Sequence, residues 1–108
     1  MNIMLLLTLL GAAEPSGQVA KFDGRKPVAE YVTASQLEDV ERCLIFSGSP
    51  PQVYRQPDRP DDVSLVWTAG GVSAGNAAAR VDLHRLAAGS TRVKSWLSEG
   101  VVRACARR

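Results

Sequence analysis

Asp82-x-His84 is the only place in this chain where an acid and the single histidine stand at a catalytic spacing. On a strand, residues two apart project from the same face, so the carboxylate could orient the imidazole for proton transfer. A hydrolase also needs a nucleophile or a second ligand at a fixed position. Ser90, Thr91 and Ser95 are near in sequence, yet the expected strand register turns Ser95 to the opposite face. The pair therefore reads as part of a polar sheet surface. A small secreted hydrolase built on Asp82 and His84 is the alternative reading.

A wider constellation surrounds that pair. Arg80, His84, Arg92, Lys94 and Trp96 fall on one face of a predicted hairpin, basic residues around an aromatic ring. Such a group can hold phosphates, acidic sugars or other anions, and it is the best ligand-patch candidate in the sequence. The competing reading is that Trp96 lies beneath an N-terminal segment and the charges only keep the surface wet. Two other segments invite chemical readings that fail on spacing. Gly70 and Gly75 are placed as in a phosphate-binding loop, but Asn76-Ala77 replace its Lys and Ser/Thr. Asp58, Asp61 and Asp62 crowd one segment without the pattern of a calcium loop, and Asp with Pro57 and Pro60 is ordinary turn chemistry. No cofactor and no metal site is expected, and no Asn-x-Ser/Thr sequon is present.

The two cysteines, Cys43 and Cys105, are too far apart for a redox Cys-x-x-Cys motif. With one histidine they are too few for a zinc site. In an oxidising compartment an even pair reads as one structural disulfide. The N-terminus supplies that compartment. Met1 to Leu10 is an apolar run closing on Gly11-Ala12-Ala13 and followed by Glu14-Pro15-Ser16-Gly17, the form of a signal peptide cleaved near Ala13. The run is short of the roughly 20 apolar residues of a membrane span, so no transmembrane segment is expected. It lacks the usual basic flank, and no cysteine follows it to take a lipid anchor. The expected location is the periplasm or the extracellular space.

Of the 108 residues, roughly 95 remain after such cleavage, enough for one small domain. The net charge of +2 is uneven, −3 over residues 14–79 and +5 over residues 80–108. An acidic protein, an anionic glycan or a lipid headgroup would suit the basic end; nucleic acid is not an expected partner of an exported protein.

The elements that must position these residues follow from periodicity. Residues 14–32 read as an extended or flexible lead-in, in which Val28–Val32 alternates like a short edge strand. Thr33 as N-cap with Gln36 as a capping box predicts a helix over Ala34–Phe46, whose Leu37, Val40 and Leu44 share one face beside Cys43. Gln52–Gln56 reads as a strand, Pro57–Asp62 as a turn, and Val63–Thr68 as a half-buried strand. Tyr54, Leu65 and Trp67 look like core.

Residues 79–84 and 92–97 then form the most constrained hairpin. Val81 and Leu83 share a face with Val93 and Leu97 only if the loop is odd in length. Ala87-Ala88-Gly89 satisfies this, with Gly89 left-handed. Leu83 then faces Val93, Asp82 faces Lys94, His84 faces Arg92 and Arg80 faces Trp96. Ser98 caps a last helix, Glu99–Arg107, burying Val101, Val102 and Cys105. The expected fold is α+β: an antiparallel meander of about four strands covered on one face by two helices, 34–46 and 99–107, joined by a disulfide. The expected function is a non-catalytic binding or interaction module of inhibitor, envelope-accessory or effector type; a purely structural envelope protein is a further alternative.

Overall fold

A computed structural model of the chain describes residues 17–68 and 77–107. Its elements, in order, are α1 (Gly17–Ala20), β1 (Ala29–Thr33), α2 (Leu37–Phe46), β2 (Gln52–Gln56), β3 (Arg59–Thr68), β4 (Ala77–Arg85), β5 (Thr91–Ser95) and α3 (Glu99–Cys105). The leader read over residues 1–13 and the glycine-rich stretch 70–76 lie outside the described residues. Among the described residues no helix is long and apolar enough to cross a membrane.

The sheet has five antiparallel strands in the order β1-β5-β4-β3-β2, not about four. Strands β2 to β5 are the expected meander. The fifth is β1, which comes from the segment read as a lead-in and pairs its five residues with Thr91–Ser95 on the far edge. Because β1 and β2 occupy opposite edges, the chain must cross the sheet between them, and α2 carries it. Ten helical residues span about 15 Å, close to the roughly 19 Å across five strands.

Strand alternation decides where the core sits. On β4, buried Ala79, Val81 and Leu83 alternate with the partly exposed Arg80, Asp82 and His84. Val63 and Leu65 of β3 and Val93 of β5 share the apolar side. They pack in one cluster with Leu37, Val40 and Leu44 of α2 and with Val102 and Ala106 at the C-terminal end. Burying each such leucine or valine contributes about 1.5–3 kcal/mol relative to an exposed position. Cys43 of α2 and Cys105 of α3 are disulfide-bonded, with their Cα atoms 5.5 Å apart. Tyr31 of β1 donates its hydroxyl to the Ala106 carbonyl at 2.5 Å, tying the edge strand to the same corner.

The β4–β5 register is the one expected: Asp82 faces Lys94, Leu83 faces Val93 and His84 faces Arg92. The Trp96 N–H donates to the Arg80 carbonyl at 2.8 Å, continuing the ladder. Leu86 N–H donates to the Ser90 carbonyl at 2.8 Å, which closes a loop over Ala87–Gly89. Gly89 has φ 77°, the left-handed conformation that glycine adopts without a Cβ clash.

Four expectations need correction. The first long helix starts at Leu37, not Ala34, and no side chain caps it. Thr33 is instead the last residue of β1, paired with Thr91, and its Oγ1 accepts from the Ser35 N–H at 3.3 Å. Strand pairing claimed the residue that local sequence assigned to a cap. In α3, which ends at Cys105, Val102 is buried but Val101 is 40% exposed, because so short a helix turns only one residue fully inward. The turn before β3 is only Pro57-Asp58, since Arg59 already faces Gln56 in the ladder. Tyr54 is 41% exposed and is not core.

Candidate functional site

The other face of the sheet carries the polar side chains, and the strand registers arrange them in three transverse rows. The first runs Gln52, Val66, Arg80 and then Trp96. Tyr54, Ser64, Asp82, Lys94 and Glu30 form the second. Asp62, His84, Arg92 and Val32 form the third. All five predicted patch residues, Arg80, His84, Arg92, Lys94 and Trp96, therefore stand on this one face, but they do different things.

The first row is roofed by the N-terminal segment. Phe22 is buried against Val66 and Ala77, with its ring centroid 5.9 Å from that of Trp96. Trp96 donates its indole N–H to the Arg25 carbonyl at 3.0 Å. The Ala77 N–H donates to Gln18 Oε1 at 2.9 Å, which fixes α1 over the end of β4. Arg80 is the central tie. It donates twice to Asp82, at 2.8 and 2.7 Å, and to the Val19 carbonyl and Asp23 Oδ1, each at 2.8 Å. The Asp82 hydrogen bonds raise the Arg80 pKa further, against the opposing effect of burial. Its side chain is 13% exposed and lies 5.3 Å from the Trp96 ring centroid. Arg80 and Trp96 thus hold the N-terminal segment to the sheet.

The acid that meets His84 is Asp62, not Asp82. His84 Nδ1 and Asp62 Oδ1 are 2.5 Å apart across the β3–β4 ladder, and both side chains are half-exposed. Asp82 is occupied by Arg80 and by the Ser64 hydroxyl, which donates to it at 2.8 Å. Among the described residues no hydroxyl or thiol is hydrogen-bonded to His84. Asp61 turns away to Arg85, at 3.2 Å, so the three aspartates do not converge. Among the described residues no three His, Cys, Asp or Glu side chains are close enough to hold a metal ion.

Beyond the roof, the second and third rows floor an open groove of about 490 Å³. Its polar lining includes Arg59, Asp62, Ser64, His84, Arg92 and Lys94, and Tyr54 also borders it. The described arginines divide into paired and unpaired ones, Arg25 and Arg107 being unpaired by a carboxylate outside the groove. Arg42, Arg55, Arg80, Arg85 and Arg103 each have a carboxylate partner. Among the described residues Arg59 and Arg92 have neither an ion pair nor a side-chain hydrogen bond, and the Lys94 ammonium has only the Trp96 ring, 5.4 Å from its centroid. The arrangement can offer two guanidinium forks and an ammonium to an anion, with Asp62, Asp82 and Ser64 as acceptors between them.

Sequence reasoning missed Tyr54, Arg59 and Asp62, which reach the groove from β2 and β3. The Asp62–His84 contact follows from the β3–β4 register, and the connection that sets it, residues 69–76, carries no turn signature that counts residues. Comparison with known protein families, characterised proteins and solved structures finds no match for this chain.

Proposed function

We propose that the chain is a small exported binding module, stabilised by its disulfide, that receives an acidic ligand on the outer face of its sheet and performs no chemistry on it. The observation that carries this reading is the distribution of arginine partners. Five arginines are neutralised by carboxylates of the fold; of the four described ones that are not, Arg25, Arg59, Arg92 and Arg107, two line the same groove. Arg59, Arg92 and Lys94 outnumber the Asp62 and Asp82 carboxylates among them and contact neither, so an anionic ligand is attracted to them. The Cys43–Cys105 bond supports a life outside the reducing cytoplasm, where such bonds persist. An inhibitor, an envelope accessory protein or an effector would each use a site of this kind.

The test is a backbone-amide NMR titration of the disulfide-bonded chain with carboxylate, sulfate and phosphate compounds at low and physiological salt. The expected shifts cluster in β3, β4 and β5 at positions pointing outward, and they weaken with salt. Shifts confined to α2 and α3, or none with any anion, would remove this face as the site. Intact-mass analysis of the protein from expressing cells, with thiols alkylated before and after reduction, tests export. The expected species lacks the first thirteen residues and alkylates only once reduced.

A further inference from the structure

The groove holds more than cations, and the mixture narrows the ligand. Between Arg59, Arg92 and Lys94 lie the Asp62 and Asp82 carboxylates and the Ser64 hydroxyl, all on the same face. A ligand that is only acidic meets two like charges there. A ligand that also carries hydroxyl groups can donate to them, since an ionised carboxylate accepts at up to four lone-pair sites and neither Asp is saturated by its protein partners. Tyr54, 41% exposed, borders the groove, and its hydroxyl donates to Gln52 Oε1 at 2.6 Å. That contact leaves the flat side of the ring available to an apolar surface.

The groove is open and shallow, and its volume lies within the roughly 300–1,000 Å³ of small-ligand sites. Among the described residues the exposed aliphatic side chains near this face are Val28 and Val32, with the charged Glu30 between them, too few to enter a lipid layer; Phe46 and Val101 stand on the helices. Resting on the anion-binding reading above, we infer that the ligand is an acidic saccharide, a sugar chain whose units carry a carboxylate beside free hydroxyls. In this assignment Arg59 and Arg92 hold the carboxylates, Asp62 and Ser64 accept from the hydroxyls, and Tyr54 stacks on a sugar face.

The experiment is calorimetric titration of the disulfide-bonded chain with four probes. They are an oligogalacturonate, a neutral oligosaccharide of equal length, polyglutamate of equal charge, and phosphatidylglycerol vesicles. The oligogalacturonate is expected to bind, and the neutral sugar at least tenfold more weakly. Arg92→Gln, which breaks no contact of the fold, is expected to weaken binding about tenfold to a hundredfold, the usual worth of a charged hydrogen bond. Asp62→Asn separates the cases by sign. It weakens the sugar by replacing one acceptor oxygen for its hydroxyls with a donor NH2 and removing the charge that strengthens those bonds, but strengthens polyglutamate by removing a like charge. Polyglutamate or vesicles binding as tightly as the uronate at the same residues, or an Asp62→Asn variant that tightens on the uronate, would overturn the saccharide and leave an anion site. No binding of any anionic probe would overturn both readings.

Discussion

Breaking the Cys43–Cys105 bond is the perturbation whose size follows most directly from the structure. The bond closes a loop across a sequence separation of 62 residues, and it joins two helices that share one apolar cluster. In the chain-entropy treatment a loop of that length restricts the unfolded chain by about 4 kcal/mol. A domain of this size has only about 5–15 kcal/mol of stability in all. Reduction should therefore cost about a quarter or more of what holds the fold together. The effect should arise in the unfolded state, because α2 and α3 keep their packing through Leu44, Val102 and Ala106. The assay is equilibrium urea unfolding of the oxidised protein, the reduced protein and the Cys43→Ala/Cys105→Ala variant, each followed by tryptophan fluorescence. With a slope of about 1 kcal/mol per molar for so short a chain, the midpoint should fall by several molar. The reduced protein and the double variant should coincide, since both cysteines are only half-buried and little packing is lost with the sulfurs. Oxidised and reduced stabilities within about 1 kcal/mol of one another would refute the reasoning, as the loop would then not be what the bond restricts.

Three further outcomes follow from single positions. Leu65 is fully buried in the middle of β3, and Leu65→Ala should cost about 2–5 kcal/mol in the same unfolding assay, with the outer groove unchanged by NMR. Gly89→Ala should cost about 1–2 kcal/mol although there is room for the methyl group, because the nearest atom to an added Cβ is Gln36 Cγ at 3.8 Å and the penalty is the positive φ alone. The Arg85 guanidinium hydrogen-bonds both oxygens of Glu38 and holds its pKa at about 2, below the ordinary 4.5. A lowered carboxylate pKa stabilises the fold above the unfolded value and loses that contribution as pH falls through the folded one. Wild type should therefore exceed Glu38→Gln in stability at pH 7, and the gap should close between pH 4.5 and 2; a gap independent of pH would mean that the ion pair contributes nothing.

What could be read from the sequence divides by distance along the chain. The β4–β5 hairpin was legible in its register because its strands are adjacent and one odd loop must bring Val81 and Leu83 onto the face of Val93. The face of α2 was legible because Leu37, Val40 and Leu44 repeat at helical spacing within ten residues. By contrast, β1 pairs with residues about sixty positions away, and no local pattern states that Ala29–Thr33 belongs beside β5. That one unseen pairing also moved the start of α2, since Thr33 cannot serve as both strand end and helix cap. The opening of β3 was hidden for a compositional reason. Arg59-Pro60-Asp61-Asp62 has the residues of a turn, yet it extends the ladder at an exposed strand end, where charge carries no burial cost.

The candidate site shows the same division inside a single cluster. Sequence alternation placed Arg80, His84, Arg92, Lys94 and Trp96 on one face, but it treats every basic residue there alike. The fold does not. Arg80 meets Asp82 on its own strand and Asp23 from the N-terminal segment, and with Trp96 it becomes part of a fastening. Arg92, one strand over and two rows from the one that segment roofs, meets no carboxylate. The difference is set by where Phe22 and Asp23 come to rest, and neither residue announces its destination in the primary structure. A guanidinium is free for a ligand only when the rest of the chain has not neutralised it, so the half of this cluster proposed to take a ligand is defined by tertiary contacts that did not form. Arg80→Gln should consequently loosen residues 17–27 and expose Trp96, with ligand affinity changing second. Arg92→Gln should leave both in place and change affinity alone.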